Sequence, residues 1–448
     1  MDPLEQLKPP SMAATRKPPP PAVLSFLSLF LLSRAFLSWP SSLPPHSSRH
    51  EPGNGKLMRP EEEEASSFSM ALAPLHPARI GVVAAAPTPS PAAAADGSPA
   101  PAPTQGEVRC DLFDGSWVYD PAGYPLYDAR ECPFLSDQVT CRRNGRPDSG
   151  YEHWRWQPRE CAAALRLGGG EMLEQCRDKR VVLVGDSLNR NMWESLACIL
   201  YAAAPDRSRA LVDDASADYK IFRALDYNCT VEFYWSPFLV DLDEQTRALR
   251  LDRLPAATYR RLAAADVLVF NTGHWWTHTG KFRAWDHLEK NGEKVEMGAE
   301  EALNRALRTW TRWLDRSVDS DKTMVFFRSI SPEHKNTNWC YNETAPMATA
   351  EEYVEAFPRG MVSAVERNLR RARTAVACLN ITRLSELRRD AHPSVFTARG
   401  GKVLTAEQRR QPGSYADCSH WCLPGLPDSW NLLLFASWNA SIAMKMRH

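Results

Sequence analysis

Three short apolar runs in the chain each end on polar residues: Arg180 to Val184, Val267 to Asn271 and Thr323 to Arg328. They are continuous rather than alternating, the pattern of a strand covered on both faces in a parallel sheet. Around them apolar positions recur at helical spacing over Leu188 to Leu200 (most clearly Met192 to Tyr201), Glu300 to Trp313 and Ala350 to Arg373. The alternation of strand and helix predicts an α/β fold, a parallel sheet with helices on both faces.

The first hundred residues follow a different pattern. Residues 1–21 carry Lys8, Arg16 and Lys17, and Ala22 to Trp39 is apolar apart from serines and Arg34. That arrangement predicts a cytosolic tail and an uncleaved signal anchor at 22–39 rather than a cleaved signal, because no small-x-small site follows at once. Residues 40–106 hold 13 prolines and 13 alanines plus the acidic run Glu61 to Glu64, a composition that cannot bury a core and reads as an extended stem. Beyond residue 106 lie 14 of the 15 tryptophans, which marks the start of the folded part. Within it, 107–161 reads as an irregular lobe tied by Cys110, Cys132, Cys141 and Cys161, and 162–448 as the catalytic domain.

Composition narrows the partners and the compartment. Lysine plus arginine equals aspartate plus glutamate, 54 each, so no electrostatic reason exists to expect nucleic acid. Eleven cysteines suit an oxidising lumen, and the odd number leaves at least one thiol unpaired or in an intermolecular bridge. The sequons at Asn228, Asn342, Asn380 and Asn439 agree with a luminal chain.

The candidate chemistry begins at Ser187, directly after the first apolar run in Val-Leu-Val-Gly-Asp-Ser. A serine at a strand-to-helix junction exposes its hydroxyl at the carboxyl edge of a sheet, where open α/β folds bind ligands. Gly185 permits the turn, and the serine amide at the helix start can face a developing oxyanion. A hydroxyl becomes a nucleophile when an imidazole takes its proton and a carboxylate orients that imidazole. Asp417-Cys-Ser-His420 supplies both groups three positions apart, close enough in a turn to lie on one side. The competing structural role is that Asp186 only caps the helix and His420 only packs in a core.

Other clusters have two readings each. Asn271-Thr-Gly-His-Trp-Trp276 follows a predicted strand, so Gly273 could present an amide while Asn271 or His274 positions a substrate; Trp275 and Trp276 suit core packing or a sugar-stacking face. Arg328 to His334 reads as a capped loop with a surface histidine or as a substrate contact. Cys418 and Cys422 enclose His420, but no second ligand pair accompanies them, so disulfides holding Asp417 and His420 are expected rather than a metal. Cys198 and Cys340 are further disulfide candidates, with the pairing open. Tyr151 to Pro158, aromatic and basic, suits packing or glycan contact.

Five motifs taken together resemble the plant trichome birefringence-like family of polysaccharide O-acetyltransferases. They are Cys110 to Asp120, Tyr151 to Pro158, Gly185 to Asn191, Phe270 to Trp276 and Asp417 to Gly425, within a likeness running over roughly residues 107–440. The resemblance implies a three-layer α/β/α sandwich similar to the Ser-Gly-Asn-His esterases, anchored in the Golgi membrane as a single-pass type II protein. It carries Ser187 over as nucleophile, His420 as base and Asp417 as its orienter, and makes Gly185, Asp186, Arg190, Asn271, Gly273 and His274 oxyanion or substrate candidates. The cysteine-rich segment and Ser136-Asp137-Gln138 look most like members that acetylate xylan. The implied acceptor is thus a polysaccharide, most of all xylan, with mannan, xyloglucan or pectin as alternatives. No tightly held cofactor is expected, and acetyl-coenzyme A is the candidate donor. The same three groups would serve a polysaccharide acetylesterase, and a non-catalytic glycan-binding wall protein could keep the fold.

Overall fold

The computed structural model describes residues 80–81 and 109–448, apart from 217, 336–338, 348–356 and 447–448. The expected tail, the anchor at 22–39 and, but for residues 80–81, the stem lie outside the described residues.

Seven strands form the main sheet: β1 Arg180–Gly185, β2 Ala210–Ser216, β3 Tyr219–Ala224, β4 Cys229–Trp235, β5 Val267–Phe270, β6 Met324–Arg328 and β7 Val376–Leu379. Their order is β7-β6-β5-β1-β4-β3-β2. The first five in that order run parallel, and β3 and β2 add an antiparallel edge. All three predicted strands are present within a residue of their expected limits.

Side chains of β1 and β5 alternate between two cores. Val181, Leu183, Val267 and Val269 enter one, and Val182, Val184, Leu268 and Phe270 enter the other. Continuous apolar runs are required here because neither face of these strands meets water. The first core is closed by helices α1 Gly169–Gln175, α2 Ser187–Ala203 and a C-terminal helix, Leu426–Lys445. The second is closed by Ala299–Ser317 and Arg359–Arg371. In chain order these last three are α3 (Ala299–Ser317), α4 (Arg359–Arg371) and α5 (Leu426–Lys445). The architecture is the three-layer sandwich.

Helix α3 buries Ala302, Leu303, Ala306, Leu307, Trp310 and Leu314, a stripe at helical spacing that made it legible from sequence. Helix α4 is shorter than the expected 350–373. It starts after Pro358, whose ring suits a helix start, and 348–356 fall outside the described residues. Strands β2, β3, β4 and β7 and helices α1 and α5 have no counterpart among the expected elements. Strand β4 is interrupted in its apolar run by Glu232, which is buried yet bonded to Arg180 of β1 at 2.6 and 2.9 Å. The edge hairpin β2–β3 is too polar to stand out. Helix α5 is buried continuously from Leu426 to Trp438, so it has no polar face to reveal its period.

The N-terminal lobe contributes a two-stranded antiparallel ribbon, Gly115–Tyr119 with Trp154–Pro158, in which Trp117 and Trp156 meet edge to face at 5.5 Å. The Tyr151 to Pro158 motif is thus a single 3-10 turn ending at His153 followed by the strand Trp154–Pro158, with Tyr151 and Trp156 buried. Of the four lobe cysteines, only Cys110 and Cys161 pair with each other. Cys132 bonds Cys198 in α2 and Cys141 bonds Cys422, so the lobe is stitched to the catalytic part and shares its first core. Cys176–Cys229 and Cys340–Cys418 complete the set, and Cys378 is a free thiol that burial pushes up to about 12. All four sequon asparagines are exposed.

Candidate active site

The carboxyl ends of β1, β4, β5 and β6 gather the polar residues that terminate each strand. Gly185 ends β1, and a Cβ added there would lie 1.9 Å from Asn271 Oδ1, so only glycine admits the neighbouring β5 loop. Asp186 caps α2 by accepting from the Leu188 amide at 2.9 Å, and it also accepts from Asn271 Nδ2 at 2.8 Å. Asn271 Oδ1 in turn accepts from the Asp186 amide at 3.2 Å. Asn271 and Asp186, both buried, are committed to each other. They brace the turn that presents Ser187, with the Asn271 oxygen and one of its amide hydrogens taken up by Asp186. Asn189 extends the brace, donating to the Val184 and Val269 carbonyls and accepting from Arg328 Nε at 3.0 Å.

Ser187 Oγ lies 2.8 Å from His420 Nε2. His420 Nδ1 lies 2.9 Å from Asp417 Oδ2 and 3.2 Å from Oδ1. A carboxylate only accepts, so the ring proton sits on Nδ1 and Nε2 is left to accept from the serine hydroxyl. Asp417 Oδ1 also accepts from the amides of Ser419 and His420 at 3.1 and 3.0 Å, so the short Asp-x-x-His segment folds around its own carboxylate. Burial disfavours the charged Asp417, but the His420 ring and these donors outweigh it and hold the carboxyl well below its usual range. Burial likewise pulls the His420 imidazole down, and the Asp417 charge overcomes that and carries it above its ordinary value.

The loop bearing Asp417 and His420 has no helix or strand of its own beyond a bridge between Asp417 and Ser394. Two disulfides clamp it, Cys340–Cys418 before the histidine and Cys141–Cys422 after it. Beneath it His392 Nδ1 lies 2.7 Å from the His420 carbonyl, and the His392 ring stacks on Trp421 at 3.8 Å. His334 meets His392 ring to ring at 2.7 Å. Burial pushes His334 down to about 4, and pushes His392 well down too. His334 is therefore neither a surface histidine nor a substrate contact. Arg328 is buried as well, pulled down to about 10 by burial against the opposing pull of Asp186.

The remaining candidates separate by exposure. Gly273 opens a turn after β5, and neither its amide nor that of Ser187 donates to any group among the described residues. His274 is buried, donating from Nε2 to the Ser331 carbonyl at 2.7 Å with Nδ1 4.0 Å from Asp186 Oδ2. Trp276 is core, its indole bonded to Thr272, whereas Trp275 is half-buried and meets Trp235 at 5.3 Å. Arg190 reaches toward the lobe, and there it finds a residue that sequence reasoning passed over: Gln138, which contacts both Asp417 and Arg190. The only signal was the Ser-Asp-Gln triplet, read for subclass and not for geometry.

Such an arrangement can move an acyl group: a base on the hydroxyl, a carboxylate on the base, and the amides of Ser187 and Gly273 unspent. Residues 166–437 match the GDSL/SGNH-like acyl-esterase family found in Pmr5 and Cas1p, and residues 108–162 match the PMR5 N-terminal domain. Fold and site thus define an α/β protein of the GDSL/SGNH-like class. Protein trichome birefringence-like 1 of Arabidopsis thaliana is 43% identical over 348 residues, 73% of this chain and 61% of that protein. Two rice (Oryza sativa subsp. japonica) proteins are similarly close: xylan O-acetyltransferase 2 at 43% over 73% of this chain and 69% of its own, and xylan O-acetyltransferase 14 at 41% over 74% and 78%. The chain belongs to the trichome birefringence-like family.

Proposed function

We propose that the protein is an O-acetyltransferase that places acetyl groups on sugar hydroxyls of a cell-wall polysaccharide, with xylan as the acceptor. The observation that carries this reading is the unbroken line from Ser187 Oγ through His420 to Asp417, at 2.8 and 2.9 Å. Relatives named xylan O-acetyltransferases support the choice of acceptor.

The reaction is a double displacement. His420 Nε2 takes the Ser187 proton as Oγ attacks the donor's acetyl carbonyl, and the oxyanion faces the Ser187 and Gly273 amides. Collapse expels the donor's leaving group, which takes the proton back from His420. A sugar hydroxyl then gives its proton to His420, attacks the acetyl-serine and releases Ser187, which recovers that proton. The half-exposed Trp275 and Trp235, the first following strand β5 and the second ending strand β4 at the carboxyl edge of the sheet, offer the acceptor an aromatic face. The site works in the Golgi lumen, with residues 22–39 as the membrane anchor and acetyl-coenzyme A or another acetyl ester as donor.

The test is incubation of the full-length protein and Ser187→Ala with an acetyl donor and xylo-oligosaccharide, followed by NMR of acetyl esters. Ser187-dependent acetylation of xylose hydroxyls is expected. Transfer to mannan or pectin fragments alone would move the acceptor, and acetate release without transfer would make the protein an esterase.

A further inference from the structure

Gln138 belongs to the N-terminal lobe, yet its side chain ends inside the Ser187–His420–Asp417 site. Its Nε2 lies 3.0 Å from Asp417 Oδ2 and 3.0 Å from His420 Nδ1, and its Oε1 accepts from Arg190 Nη2 at 3.2 Å. The orientation of the amide is chemically forced, since a guanidinium only donates and a carboxylate only accepts. Arg190 is itself held on α2, with Nε 3.8 Å from Glu194 Oε1, and Glu194 Oε2 accepts from the amide and hydroxyl of Ser136 at 3.0 Å. The backbone of Gln138 is pinned too. Thr397 Oγ1 donates to its carbonyl at 3.0 Å, the Leu423 amide donates to the next carbonyl, Val139, at 3.0 Å, and Cys141 is bonded to Cys422.

We propose that Gln138 is a positioning residue of the acyl-transfer site, through which the N-terminal lobe fixes the orientation and basicity of the Asp417–His420 pair. This rests on the reading of Ser187 and His420 as nucleophile and base. The physical argument is geometric first. Asp417 Oδ1 is held by two amides of its own loop, but Oδ2, the oxygen nearer to the imidazole, has Gln138 as its only other donor among the described residues. Without that donor the carboxylate can rotate, and the imidazole follows it away from the serine. The second effect is electrostatic. The amide N–H disperses charge from Asp417 and presents a positive dipole to His420 Nδ1, so it restrains the imidazolium form. The other charged groups facing His420 are Asp417 from its own loop and Arg190 and Asp186 from the start of α2, with His392 packed beneath its backbone.

This explains why two regions that match separate family models occur in one chain: the smaller one supplies part of the larger one's site. It also gives the bond between Cys141 and Cys422 a task, because it locks the Gln138 segment to the His420 loop.

The experiment reads Ser187 acylation directly and needs no acceptor. Full-length protein is treated with a fluorophosphonate probe across a pH series, and the rate and its midpoint are compared for wild type, Ser187→Ala, Gln138→Met and Arg190→Met. Methionine keeps the length of glutamine and removes its donor. Gln138→Met should react about tenfold to 100-fold more slowly, the scale expected when a reacting group is misplaced by about 1 Å. Its midpoint should also move to higher pH, which a merely structural residue would not cause. Arg190→Met, which keeps Gln138 but frees its Oε1, should shift in the same directions by less. A Gln138→Met protein with the wild-type midpoint, at any rate, overturns the proposal. If it fails to fold, a wild-type rate and midpoint in Arg190→Met does so. Wild-type protein that the probe does not label at Ser187 removes the serine chemistry itself, an outcome distinct from a labelled enzyme indifferent to Gln138.

Discussion

The two halves of the site are held in place by opposite means. Ser187 sits on regular structure: a buried strand, one glycine where Asn271 approaches, an aspartate cap and a helix of 17 residues. His420 sits on a loop with almost no regular structure, clamped by disulfides to Cys340 and Cys141 and propped on His392. A nucleophile needs a fixed position that local backbone geometry can supply within a few residues. A base that must reach it from 233 positions away in sequence needs long-range ties, and covalent ties keep the loop from fraying. The first arrangement depends on packing and hydrogen bonds, the second on oxidation.

The most severe break is chemical and should strike both halves alike. Ser187→Ala and His420→Ala should each lower the rate of acyl transfer by about 10⁴-fold or more, measured as turnover of an activated acetyl ester. A residual rate only tenfold below wild type in either would remove that residue from the mechanism.

Gly185→Ala probes the nucleophile half alone. Its Cβ would meet Asn271 Oδ1 at 1.9 Å, so we expect a loss of about 1–3 kcal/mol in stability from overpacking and on the order of 100-fold in activity as Ser187 shifts. Denaturant unfolding and ester turnover check the two separately.

The covalent half is tested by comparing two disulfides. Replacing Cys141 and Cys422 together by serine should cost about 2–4 kcal/mol, and so should replacing Cys176 and Cys229, which join α1 to the start of β4 at the opposite end of the sheet. Only the first pair should lower activity, by about tenfold, in protein still folded at the assay temperature. Equal activity in the two variants would mean that the His420 loop holds its shape without the clamp.

The smallest effect is in pH. Because Asp417 carries the His420 imidazole above its ordinary value, the base is protonated and idle at low pH. Acyl-transfer rate should therefore rise with pH, with a midpoint above about 6.5. A midpoint below that value would show that burial outweighs the carboxylate.

Much of the nucleophile half could be read in advance, because strand, glycine, cap and helix follow one another within a few residues and each has a local physical cause. The His420 pair could be read for the same reason, as its carboxylate and imidazole are three positions apart. The bracing bond of Asn271 is invisible along the chain, because its neighbours in sequence suggest a substrate contact whereas its partner Asp186 lies 85 positions away. Arg328 and His334 were misjudged for a like reason, since nothing adjacent to them reveals Asn189 or His392. Strand β4 and helix α5 escaped because one hides a buried ion pair and the other is buried all round from Leu426 to Trp438.

The sequence by itself determined the alternation of strands and helices, the serine at a strand end and the Asp-x-x-His segment, because each depends on contacts within a few residues. Only the tertiary structure decided which cysteines pair, which polar side chains are spent on bracing, and that Gln138 of the N-terminal lobe reaches Asp417 279 positions away. Those outcomes depend on which surfaces the sheet and its two cores bring together, and that pairing of distant groups leaves no periodic or compositional trace along the chain.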